Sequence, residues 1–121
     1  MEEKKFRKLV MEAIDELPED FKRKISNLYV VVEDFPSGEI LKEQGIKSPY
    51  SILGLYQGIP VKKRGVSYTN FLPDRITIYQ KPIESLGKEA DQVKERVKEV
   101  FRHELGHHFG FSETELAKID I

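Results

Sequence analysis

The chain is expected to be an α+β protein. Three observations predict this: an apolar stripe at helical spacing opens it, short β-branched runs follow, and a longer helical stripe stands near its end. The opening stripe is Phe6, Leu9, Val10, Ala13, Ile14 and Leu17. Pro18 ends it, because a proline disfavours helix in the residue before it. Phe21 and Ile25 fit a further short turn. Residues 28–32 are a β-branched run without alternation, the pattern of a strand buried on both faces. Residues 34–50 contain Pro36, Gly38, Gly45 and Pro49 and read as a long connection of low regularity. A second strand is expected at 52–56, broken by Gly58 and Pro60. Residues 62–70 are polar and read as a hairpin or loop. Arg75–Tyr79 alternates polar and apolar, which predicts a third strand with Ile76 and Ile78 on one face, closed by Pro82. The last stripe, Ala90, Val93, Val97, Val100, Phe101 and Leu105, predicts a helix from near Gly87 to Gly110.

The 121 residues suit one domain spanning 1–121, without room for a second core. With 39% hydrophobic residues the chain lies above the disordered range. Its 20 Lys and Arg balance 21 Asp and Glu. That balance argues against a nucleic-acid partner, which calls for a basic excess or stripe. The short cluster Lys62, Lys63 and Arg64 reads as a solvated turn. Cysteine is absent, so disulfides and thiolate metal sites are excluded. No apolar segment follows the charged start as a signal peptide requires, and no window approaches a membrane span. The expectation is a cytoplasmic protein with no membrane partner.

All three histidines fall within six residues: His103, His107 and His108. The run His103-Glu104-Leu105-Gly106-His107 is H-E-x-x-H on an expected helix, the context that motif requires. From 3 His and 15 Glu in 121 residues, random order produces it about 0.01 times. Residues four apart on a helix differ by about 40° and about 6 Å, so His103 and His107 can reach one ion. Neutral imidazole suits zinc. Glu104 lies about 100° round from His103 and flanks the ion, where a base for an activated water should stand. His108 is about 140° from His103 and reads as a packing residue. Catalytic zinc usually takes three protein ligands. Gly110 lets the chain turn back, and Glu113, ten residues after His103, is the expected third ligand, with Glu115 in reserve. Both are also where the dipole of a short final helix favours carboxylates. Imidazole and carboxylate also suit nickel, cobalt or iron.

The run from His103 to Glu113 resembles the small bacterial zincin-like metallopeptidases. So do the Gly54-Leu55-Tyr56-Gln57-Gly58-Ile59-Pro60 and Asp74-Arg75-Ile76-Thr77-Ile78-Tyr79 segments that precede it. These proteins are minimal versions of the matrix-metalloprotease-like catalytic domain. The resemblance spans roughly residues 28–116. It implies a small mixed β-sheet packed against the N-terminal helix and the long C-terminal motif helix. It also implies one zinc per chain on His103, His107 and Glu113, with Glu104 as general base. A peptide or protein substrate would add as a strand beside residues 52–57. Two departures stand out. Met1 and Met11 are the only methionines among these residues, so no Met-turn of the larger relatives is expected, and with eight residues after Glu113 no lower subdomain is expected within them. Tyr56, Tyr68, Tyr79 and Arg102 are candidates to stabilise an oxyanion, and the sequence does not choose among them.

The expected function is zinc-dependent peptide hydrolysis. Two rivals come from other classes. One is a zinc-binding domain without catalysis, in which the metal mainly stabilises the fold. The other is a metal-dependent nuclease, disfavoured by the balanced charge and by Glu104.

Overall fold

A computed structural model describes residues 1–25, 28–57 and 74–106. Helices α1 (Glu3–Asp15) and α2 (Glu19–Ile25) open the chain, followed by strand β1 (Tyr29–Glu33) and helix α3 (Gly38–Gln44). Strands β2 (Gly54–Gln57) and β3 (Arg75–Tyr79), then helices α4 (Gln80–Glu84) and α5 (Ala90–Gly106), complete the described elements. The strands form one mixed sheet in the order β1-β3-β2, with β1 parallel and β2 antiparallel to the central β3. This is the α+β arrangement the element order predicts.

Side chains alternate across a strand, so register assigns the faces. Ile76 pairs with Val30 and Tyr56, and Ile78 with Val32 and Gly54. That face is apolar and builds the core with Phe6, Val10 and Ala13 of α1 and Val93, Val97 and Phe101 of α5. Burying each large apolar side chain is worth about 1.5–3 kcal/mol. The opposite face carries Arg75, Thr77 and Tyr79 of β3, with Gln57 of β2 beside Arg75, Glu33 of β1 beside Tyr79, and Val31 and Leu55 flanking Thr77.

Three expectations are corrected. The unalternating run at 28–32 is not buried on both faces: β1 is an edge among the described residues, and Tyr29 is 64% exposed. The alternating Arg75–Tyr79 is the strand buried on both faces, its Thr77 and Tyr79 each 2% exposed. Residues 34–50 are not all irregular. Ser37 caps α3 by accepting the Ile40 N–H at 3.1 Å, and Gly45, at φ 67°, ends it in the left-handed conformation. The last helix starts at Ala90, not near Gly87, and its expected end at Gly110 lies outside the described residues. So does the expected hairpin at 62–70.

Polar contacts tie these layers together. Buried Tyr56 donates to the Asp74 carboxylate at 2.6 Å, joining the end of β2 to the start of β3. Glu16, just past α1, accepts from Lys94 and Lys98 of α5, each at 2.6 Å. Those bonds, Lys94 first, hold its carboxyl below the ordinary 4.5. A carboxyl lowered on folding adds stability that is complete above 4.5 and lost as pH falls through the folded value. Glu16→Gln should therefore lower the denaturant midpoint slightly at neutral pH, and the two curves should converge in acid. The effect is small because Glu16 is 41% exposed and water screens the pair.

Candidate active site

The buried stripe of α5 leads directly to the site. Val93, Val97 and Val100 face the core, and Glu104 follows Val100 by four residues and Val97 by seven. At about 100° per residue, Glu104 falls within about 40° of each of these valines. A carboxylate thus stands where the next core residue would. It is half-buried, while His103, one step round the helix, is exposed.

His103 and Glu104 line a cleft of about 360 Å³ with Val100 and Glu99 of the same helix. The facing wall is the stretch 51–55, the outer edge of β2 and the residues leading into it. Gln44, the last residue of α3, borders one end. Among the described residues β2 pairs only with β3, so its outer edge is turned to the cleft. The close approach of α5 to β2 depends on Gly54. A Cβ there would collide with Cγ1 of Val100 and meet the Thr77 carbonyl oxygen at 2.9 Å.

Of the residues expected at the site, the structure thus brings His103 and Glu104 together on one wall. His107, His108, Glu113 and the reserve Glu115 lie outside the described residues. Among the described residues no three His, Cys, Asp or Glu side chains converge to hold a metal. The donor type at the described end fits zinc, an exposed imidazole at the mouth of a cleft. Two oxyanion candidates face elsewhere. Tyr56 is engaged with Asp74, and Tyr79 lines a cleft on the other side of the sheet. Tyr68 lies outside the described residues, and Arg102, half-buried, is on α5. Sequence reasoning did not find Gln44, whose place depends on tertiary packing that no local pattern carries; the 51–55 wall overlaps the strand at 52–57 that the resemblance offered as the substrate edge.

No described helix is long and apolar enough to cross a membrane. None of the curated proteins compared with the chain matches it. The family model described as zincin-like metallopeptidase matches residues 25–121, which covers the sheet, α5 and the whole histidine motif. With that match over most of its length, the chain belongs to the zincin-like metallopeptidase family.

Proposed function

We propose that the chain is a zinc-dependent peptidase that hydrolyses an extended peptide laid along the outer edge of β2. The observation that carries this reading is the cleft in which His103 and Glu104 face residues 51–55. His103, His107 and Glu113 would hold the ion, with Glu115 as the reserve third ligand. When bound, zinc supplies a Lewis acid that acidifies water and polarises a carbonyl. The rest of the chemistry belongs to the protein. The Glu104 carboxylate takes a proton from the attacking water as its oxygen bonds to the carbonyl carbon. Glu104 then gives that proton to the amide nitrogen as the C–N bond breaks, leaving a carboxylic acid and an amine. The N–H and C=O groups on the β2 edge that has no strand partner among the described residues would hold the substrate backbone by strand addition, which orients the scissile bond.

The first test is metal content. Protein purified without added metal should carry about one zinc per chain, and His103→Ala should carry none. Absence of metal in the parent, with no uptake from micromolar zinc, would sink the reading.

A further inference from the structure

The opposite face of the sheet carries a second cleft, of about 320 Å³, whose lining does not include His103 or Glu104. Its lining from the sheet includes Glu33 of β1 and Arg75, Thr77 and Tyr79 of β3. Helix α3 supplies Glu39 and Glu43, which are four residues apart and so on one side of the helix. Three carboxylates therefore share this space with one guanidinium. None of the three forms an ion pair among the described residues. Arg75 is already engaged, donating to Gln57 Oε1 at 2.5 Å.

An acidic lining alone would be a solvated surface. The hydroxyls of Thr77 and Tyr79 make it a site. Both residues are 2% exposed, yet both line the cleft. Neither hydroxyl makes a hydrogen bond among the described residues. The sealed oxygens without partners belong to Glu12, Gln80 and Glu84 instead, so these two hydroxyls keep a little access to solvent, and their residues line this cleft. Buried polar groups are normally satisfied, and an unpaired pair aimed into a cavity points to a ligand that satisfies them.

We propose that this cleft binds an organic nitrogen cation, an alkylammonium or guanidinium group. Glu33, Glu39 and Glu43 balance its charge, and the Thr77 and Tyr79 hydroxyls accept its N–H hydrogen bonds. A metal ion fits less well, because no three ligating side chains converge among the described residues. Dispersed carboxylates suit a cation with several spread donors. Register locates the cation. Tyr79 pairs with Glu33, whereas Arg75 lies four residues back along β3, roughly 13 Å away, beside Gln57. The cation thus sits at the Tyr79 end, beside Glu33, while the Arg75 guanidinium, held by Gln57, still acts on the Tyr79 hydroxyl and weakens the site's attraction. Burial first, then the charge of Glu33, push the Tyr79 hydroxyl above its ordinary 10.0, so it stays a neutral acceptor.

The test is calorimetric titration of the full chain with 1,5-diaminopentane and with agmatine at low ionic strength. One site per chain with a Kd of about 1 mM is expected. Tyr79→Phe and Thr77→Val each remove one acceptor and should weaken binding about fivefold. The Glu39→Gln/Glu43→Gln double variant, on exposed positions of α3, should weaken it about tenfold or more and remains informative if a strand variant misfolds. No saturation by tens of millimolar amine, roughly the weakest affinity worth assigning, would overturn the proposal. So would affinities unchanged in the variants that fold, or displacement by magnesium at constant ionic strength. A blocked lysine peptide gives the source. If it binds as the diamine does, the cleft takes a basic side chain of a polypeptide. If only the diamine binds, the ligand is a free amine.

Discussion

Glu104→Gln is expected to retain zinc and to hydrolyse peptides about 10²–10⁴-fold more slowly than the parent. The substitution keeps the size and polarity of the side chain but removes its capacity to take a proton. Glu104 occupies a position on α5 that continues the line of Val93, Val97 and Val100, so helix packing itself aims the carboxylate at the cleft. A peptide library read by mass spectrometry, with metal content measured on the same samples, checks the expectation. Equal rates in parent and variant would remove Glu104 from the mechanism. No cleavage by either protein, with a large fall in melting temperature on chelation, would favour the non-catalytic zinc domain.

Gly54→Ala should cost about 1–3 kcal/mol of stability, the range for forcing atoms into a packed core. The added methyl would strike Val100 Cγ1 and crowd the Thr77 carbonyl oxygen at 2.9 Å. Relief requires α5 and β2 to separate, and both form the walls that hold His103 and Glu104 opposite residues 51–55. Catalytic rate should therefore fall along with stability. Val100→Ala removes the first obstacle, so the double variant should be more stable than the two single effects predict. The rescue is partial, because the carbonyl oxygen stays in place. Strict additivity in denaturant unfolding would show that the α5–β2 contact does not constrain residue 54.

How far the chain could be read depended on whether a feature is local. The stripes of α1 and α5 were legible because a helix that buries one side repeats its apolar residues every three or four positions. The neighbouring positions of His103 and Glu104 on α5 were legible because the two lie within one helical turn. The strands misled on burial. Val30, Val31 and Val32 read as a central strand, but a strand's place in the sheet is set by partners distant in sequence, and β1 lies at an edge among the described residues. Thr77 and Tyr79 look like an outward polar face, and they are buried because both sides of β3 are covered. Helix α3 had its signals in Ser37 and Gly45, but seven residues are too few to establish a periodicity. The cleft itself was not legible, since it exists only once β2 lies beside α5.

The position of β3 also governs when the fold can form. Both of its neighbours precede it in the chain, and Tyr29 finds its partner only at Arg75. Helix α1 has to wait longer, because the stripe on Phe6, Val10 and Ala13 is covered by Val93, Val97 and Phe101. A chain emerging from the ribosome therefore carries its first apolar surface uncovered until nearly all the described residues have been made. Such distant pairing slows folding. During synthesis the newborn chain is most exposed to aggregation in the interval between the appearance of α1 and that of α5.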